Sequence, residues 1–415
     1  MAKRLFGSTG IRGITFGNVI APENVIFSPE NVIKFARIFA EVTDSSEFLI
    51  GRDPRISSPM FEAAIVVGLT SKGRDVCLAG VLPVPALNFN CKIEQKPGIA
   101  ITGSHTPPIQ NAIKFILSNG AEIDSETGEK EIEDLFFSEN YIQYTEPMKC
   151  GQLSRKDLLP PYLDYLDKHL NPETKKLKIV IDPGNGAWSG IMDKFLKVQG
   201  LQVEVINNFP DGNFPGRGAE PKETTLEGLV KKVKEVKADL GVGYDADGDR
   251  AIFCDEKGSF IWGDYILALL ARKILKKGES IATPVSTAGI IEDLSKEGGF
   301  NIDWTRVGAA EVTRVALDNG YPFGGEQNGG MIFPKDNPCR DGGRTTVEIL
   351  NLLIEDGRTF SEIIKEMPRY YIEKEKIPHD PKLLTERPKI TEAVLEEFKH
   401  FDSDLTDGIK IKFNI

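Results

Sequence analysis

The sequence predicts an α/β protein: three similar α/β domains with mixed, largely parallel sheets, followed by a partial fourth α+β domain at the C-terminus. Two observations carry this. Short β-branched runs alternate with amphipathic helical stretches through roughly the first 360 residues. The chain's 415 residues also exceed a single core, and roughly 100–200 residues per domain gives about three.

Phe48–Asp53 reads as a strand, and Ser57-Ser-Pro-Met-Phe as a capped helix start with Pro59 in the first turn. That helix stops at Gly73 before the strand Asp75–Gly80. A second unit opens with the strand Leu177–Asp182, turns on Pro183-Gly-Asn-Gly186, runs a helix to Val198 and returns on Gln202–Ile206. A third repeats the theme with Ser280–Ser286 and a helix after Thr287. Seams are expected at Glu146–Leu159, at Asp255-Glu-Lys-Gly258 and at Met367–Lys376, where periodicity breaks. The expected domains are therefore 1–147, 148–254, 255–367 and 368–415.

Lys+Arg of 51 against Asp+Glu of 62 leaves a net charge of −11, which opposes nucleic acid as a partner. The five cysteines are scattered singly without a C-x-x-C pair. No signal peptide or membrane-spanning run is apparent. The expectation is a cytoplasmic protein that acts on a small molecule, with no membrane partner. The oligomeric state is open.

Ser104 follows the apolar strand Gly98–Ile101, at a strand's C-terminal end, where open α/β sheets bind ligands. A serine before a proline-rich turn can also be a cap. An acyl-transfer elbow is disfavoured, because Thr106 stands where glycine is needed. In an extended chain, His105 points away from Ser104 and is not its base, though it can reach a substrate oxygen. Lys114 lies on a strand-like return, Asn111–Phe115, over the same mouth. To act as a base it needs a pKa lowered from about 10.4.

Asp245, Asp247 and Asp249 alternate directly after the apolar strand Asp239–Tyr244. Hard oxygen donors at this spacing suit Mg²⁺. An EF-hand fails because Arg250 occupies the position of its turn glycine. A dinucleotide site at Gly241–Ala246 fails because pyrophosphate would face three carboxylates. Three further glycine-rich loops place Arg12, the pair Glu326 and Asn328, and Arg340 where anions and hydroxyls can be held.

Four segments in this order resemble the α-D-phosphohexomutases: Gly7-Ser-Thr-Gly-Ile-Arg12, Thr102-Gly-Ser-His105, Asp245-Ala-Asp-Gly-Asp-Arg250 and Gly325-Glu-Gln-Asn-Gly-Gly330. Asp182–Ala187 and Asp211–Arg217 are also similar to that family. The resemblance implies that Ser104 carries a phosphoryl group and binds Mg²⁺ with Asp245, Asp247 and Asp249. It further implies that Lys114 assists proton transfer while Arg12, His105 and Arg250 stabilise the transferring group. Glu326, Asn328, Arg340 and the Val307-Gly308 turn would then hold the sugar phosphate. The implied reaction moves phosphate between C1 and C6 of glucose or mannose, with hexose 1,6-bisphosphate as intermediate and activator. The alternatives are phosphoglucosamine mutase, to which Gln327 and Val307-Gly308 are similar, and a non-catalytic sugar-phosphate binder.

Three departures from the family pattern stand out. The usual Ala-Ser-His-Asn-Pro loop here has Gly103 before the serine and Thr106-Pro107-Pro108 after His105. Gly330 stands where many members have histidine. The Arg-x-Ser-Gly-Thr-Glu-Pro loop that clamps the distal phosphate is not in the sequence. Ile409–Phe413 alternates like a strand awaiting its partner, so the chain is expected to be cut short before that clamp.

Overall fold

A computed structural model describes residues 4–7, 10–19, 25–139, 144–371 and 386–413. Ser8 and Thr9 of the first glycine-rich loop lie outside the described residues, as does the Ile372–Lys376 part of the third expected seam. The first sheet contains β1 (Ile11–Ile14), β2 (Glu47–Arg52), β3 (Asp75–Val81), β4 (Gly98–Ile101), β5 (Gln110–Ile116) and β6 (Leu153–Arg155), in the order β1-β5-β4-β2-β3-β6. The second contains β7 (Lys178–Asp182), β8 (Gln202–Val205), β9 (Leu240–Tyr244), β10 (Ala251–Asp255) and β11 (Phe260–Ile261), in the order β11-β10-β9-β7-β8. The third contains β12 (Ser280–Pro284), β13 (Asn301–Thr305), β14 (Phe323–Glu326), β15 (Gly330–Phe333) and β16 (Asn337–Arg340), in the order β13-β12-β14-β15-β16.

All three sheets share one plan. A parallel core ends on one side in an antiparallel pairing: β4 with β5, β9 with β10, β14 with β15. The connection at that switch carries Ser104 in the first sheet, the three aspartates in the second and Gln327–Asn328 in the third. One hydrophobic cluster runs through all three units, from Leu49 and Leu87 through Trp188 and Tyr244 to Leu267 and Val347.

The α-helix Ser58–Thr70 has proline in its first turn as expected, but Ser57 does not cap it. The Ser57 and Ser58 hydroxyls instead accept from the Asn111 amide at 2.9 and 3.0 Å. Two sheets run on past the expected boundaries. The strand β6 lies beyond residue 147 yet pairs in parallel with β3, so the first sheet extends to Arg155. Likewise Asp255–Gly258 is the turn of the β10–β11 hairpin, and the helix Gly263–Ile274 follows it.

The C-terminal region holds the helix Arg387–Glu397 and the antiparallel pair β17 (Asp402–Asp404) and β18 (Lys410–Lys412). The strand expected to lack a partner therefore has one. This hairpin rests on the third unit: Lys410 Nζ sits 4.3 Å from the Trp304 ring centre and Lys412 pairs with Glu292 at 3.1 Å. No helix among the described residues is long and apolar enough to cross a membrane.

Where the first and third units meet, Arg314 pairs with Asp124 at 3.0 Å and the Ser125 hydroxyl donates to Glu311 at 2.8 Å. Burial raises the nearby Glu129 carboxyl from 4.5 to about 7, with Arg4 opposing and Glu133, Asp124 and Glu311 adding to the rise. A carboxyl whose folded pKa exceeds its unfolded one binds more protons when folded. It therefore costs stability as pH climbs through the window between them. Glu129→Gln is expected to raise the thermal midpoint near pH 8 and to change it much less near pH 4. Equal shifts at both pH values would contradict this.

Candidate active site

Ser104 is buried at the end of β4, and its φ of +50° is left-handed. Such a conformation costs a non-glycine residue about 1–3 kcal/mol and persists only where the surroundings over-determine it. Here the Ser104 N–H donates to Thr102 Oγ1 at 2.8 Å, and its carbonyl accepts from Arg55 at 2.7 Å. The folded-back loop brings His105 Nδ1 to 3.4 Å from Ser104 Oγ. The expectation that the two side chains diverge is thus corrected, because it assumed an extended chain. Burial, then Arg250, Arg12 and Arg340, lower the His105 imidazole to about 2, so the ring is neutral.

The Ser104 hydroxyl donates to Asp245 Oδ2 at 2.8 Å, across 141 residues of sequence. One ligand atom from each of Asp245, Asp247 and Asp249 lies within 4.8 Å of the others. Asp247 Oδ1 and Asp249 Oδ1 are buried and have no hydrogen-bond partner among the described residues. Uncommitted carboxylate oxygens in a closed cluster are unfavourable unless a cation meets them. Three carboxylates and a hydroxyl are the hard donor set that Mg²⁺ takes, so these residues fit a divalent cation.

Lys114 reaches the same cluster from β5, with Nζ 3.1 Å from Asp247, 3.2 Å from Asp249 and 3.5 Å from Glu122. Burial disfavours its ammonium, but these three carboxylates outweigh burial and its pKa is raised. The lowered pKa that a base requires is therefore not found in this arrangement, where the carboxylates favour the ammonium. Burial likewise raises Asp245, with Asp247 and Asp249 adding, whereas Arg340, Lys114 and Arg250 overcome burial and lower Asp249.

Arg340 projects from the end of β16 into this cluster, donating to Asp249 and, at 3.1 Å, to Glu326. The Asn328 amide also donates to Glu326, at 3.3 Å. The sugar-loop residues are thereby joined to the aspartate loop. Gly330 has a steric reason: a Cβ there would stand 2.2 Å from Arg340 Cδ. Gly103 has a similar one, since its Cβ would meet the Arg55 guanidinium carbon at 2.7 Å. Arg250 Nε lies 3.7 Å from Asp245 and 3.8 Å from Asp249. Burial, followed by repulsion from Arg250, lowers the Arg12 guanidinium to about 10. Val307 and Gly308 make no hydrogen bond to this cluster among the described residues. Val307 is exposed and its N–H donates to Asp407 of the C-terminal hairpin at 2.9 Å.

Sequence models of the phosphoglucomutase/phosphomannomutase α/β/α domains I, II and III match residues 3–143, 160–258 and 262–371. The phosphoglucomutase/phosphomannomutase of Thermococcus kodakarensis is 36% identical over 424 residues, which cover 99% of this chain and 90% of that protein. The chain belongs to the α-D-phosphohexomutase family. It is an intramolecular phosphotransferase of the phosphoglucomutase/phosphomannomutase type. Another relative of this phosphohexomutase, the phosphoglucosamine/phosphogalactosamine mutase of Sulfurisphaera tokodaii, is 32% identical over 420 residues, covering 98% of this chain and 90% of that one. The crystal structure of a phosphoglucomutase/phosphomannomutase family protein from Burkholderia thailandensis has the same fold, with a TM-score of 0.81 at 22% identity over 98% of this chain and 88% of its own.

Sequence reasoning gave no role to Arg55, and took Arg217 only as the end of a family-like stretch. Arg55 lies beneath the serine loop, and Arg217 donates to Asp182 at 2.9 Å and to the carbonyl of Tyr244, the residue before Asp245. The only local signal for Arg55 is a cation right after a buried strand, in Asp53-Pro-Arg55.

Proposed function

We propose that this phosphohexomutase is Mg²⁺-dependent and moves phosphate between C1 and C6 of glucose or mannose, through a phosphoserine at Ser104 and a hexose 1,6-bisphosphate that also activates it. The observation carrying this reading is the buried contact of Ser104 Oγ with Asp245, inside a cluster holding two uncommitted carboxylate oxygens. A cation held by Ser104, Asp245, Asp247 and Asp249 would supply neutralisation of phosphoryl charge. The first transfer breaks the bond from Ser104 Oγ to phosphorus as a sugar oxygen bonds to it, the sugar hydroxyl passing its proton to the neutral His105 ring while Ser104 Oγ takes one from Lys114. After the bisphosphate reorients, the second transfer returns its other phosphoryl group to Ser104.

The chain's own residues contribute position and charge, which are most of what phosphoryl transfer requires. Arg12 and Arg250 face the transferring group, and their mutual repulsion, visible in the lowered pKa of Arg12, is relieved by a bound phosphate. Lys114 enters as an ammonium that donates to the oxygen losing the phosphoryl group. His105, held neutral, offers a ring nitrogen open to a proton. Glu326 and Asn328 hold sugar hydroxyls, with Arg340 behind them and the Val307-Gly308 turn against the substrate. A reducing cytoplasm suits the five cysteines, all free.

The glucose and mannose assignment follows the Thermococcus relative. An amino sugar is the second reading, favoured by the relatives that act on glucosamine phosphates. Turnover of glucose, mannose and glucosamine 1-phosphates with Mg²⁺, and again after chelation, decides between them. Preference for glucosamine 1-phosphate would replace the first assignment. No turnover of any substrate, with Ser104 unmodified, would make the chain a binder.

A further inference from the structure

Arg55 is fully buried and every nitrogen of its guanidinium is used. Nε donates to Asp53 at 2.9 Å, Nη1 to the carbonyls of Pro107 and Gln110 at 2.6 and 3.0 Å, and Nη2 to those of Ser104 and Thr106, both at 2.7 Å. Three carbonyls of the serine loop and that of Gln110, which opens β5, thus converge on a single planar cation. A lysine ammonium has three donors and no fixed plane, and cannot reproduce that pattern. Asp53 extends the grip, because its Oδ2 also accepts from Thr102 Oγ1, which in turn accepts the Ser104 N–H. Both sides of the left-handed Ser104 peptide are therefore tied to the Asp53–Arg55 pair.

The second unit reaches across to the same pair. The Phe214 ring lies 5.0 Å from the Arg55 guanidinium carbon. Gly212 packs so closely that a Cβ there would stand 2.5 Å from Pro54 O and 2.6 Å from Arg55 Cα. The same loop ends at Arg217, which holds Asp182 and the Tyr244 carbonyl. One continuous set of contacts thereby joins the backbone of Ser104 to the backbone just ahead of Asp245.

We infer that Arg55 is a positioning residue for phosphoryl transfer. With Phe214 and Arg217 behind it, Arg55 holds Ser104 in its left-handed conformation and so sets the hydroxyl against the aspartate loop. Arg55 does not touch substrate; it acts through Ser104. The inference rests on reading Ser104 as the phosphate carrier, so its test has one readout that depends on that reading and one that does not.

Wild type, Arg55→Lys and Phe214→Leu are each incubated with glucose 1,6-bisphosphate and Mg²⁺, and phosphate on Ser104 is followed by intact mass. Arg55→Lys is expected to slow phosphate uptake roughly 10²-fold, with kcat falling in parallel and KM for the hexose phosphate staying within about threefold. Phe214→Leu should fall between the two, and decides the matter if Arg55→Lys does not fold. Crystal structures of the folded variants supply the independent readout: Ser104 should leave positive φ, and its hydroxyl should leave Asp245. A folded variant with wild-type uptake and an unmoved Ser104 would overturn the inference. If wild type takes up no phosphate, the carrier reading fails instead, and the Ser104 geometry in the variants still judges the role of Arg55.

Discussion

Ser104→Ala is expected to lower mutase activity by roughly 10⁵-fold or more while leaving the protein folded. Removing a covalent nucleophile costs on this scale, because a positioned site cannot substitute for the group that carries the intermediate. The structural price is small. The loop's anchoring bonds come from backbone atoms that alanine retains: the carbonyl on Arg55 and the N–H on Thr102. The hydroxyl bond to Asp245, worth about 1 kcal/mol, is lost with the longer contact to His105 Nδ1, and Asp245 still accepts from the Arg250 N–H at 3.1 Å. Intact mass after incubation with glucose 1,6-bisphosphate should show one added phosphoryl group on wild type and none on the variant. A variant that still gains phosphate would place the carrier elsewhere. Retained turnover would remove the phosphoserine from the mechanism altogether.

The parts of this site that are legible in the sequence are those whose chemistry is local. Asp245, Asp247 and Asp249 stand two residues apart in one loop, and the structure closes them into one cluster. Ser104 is placed by its strand. The errors arise where distant residues decide. Adjacent residues diverge in an extended chain, which sends His105 away from Ser104, whereas bonds from Arg55 and Thr102 hold Ser104 at positive φ. The charge of Lys114 depends on Glu122, Asp247 and Asp249, the last two more than 130 residues away. Arg55 is invisible because its four carbonyl partners, three in irregular backbone and Gln110 at the start of β5, lie about fifty residues downstream.

The fold divides in the same way. Strands with long apolar runs, such as β2 and β7, are legible directly. The strands β6 and β17 are not, because each has three residues, none of them buried, and no apolar alternation to detect. Without them the full width of the first sheet and the partner of β18 are not visible in the sequence.

Arg340→Met is expected to destabilise the protein by about 3–5 kcal/mol, among the largest losses any single substitution here should produce. The reason is the pair of acids left behind rather than the bonds removed. Asp249 and Glu326 are both buried, and Arg340 is shared between them. Asp249 keeps Lys114 as a counter-charge, but among the described residues the Glu326 carboxylate retains only the Asn328 amide at 3.3 Å. The larger share of the loss should therefore trace to Glu326. Chemical denaturation of Arg340→Met and of the double variant Arg340→Met with Glu326→Gln separates the two explanations. If the uncompensated carboxylate is the cause, removing its charge restores at least about 1 kcal/mol, a coupling well above the ordinary scatter between distant sites. Strict additivity would mean that Arg340 stabilises through Asp249 or through packing rather than through Glu326. Gly330 sharpens the comparison, because its missing Cβ is what lets the Arg340 stem pass, and a methionine of similar length fills the same channel without the charge.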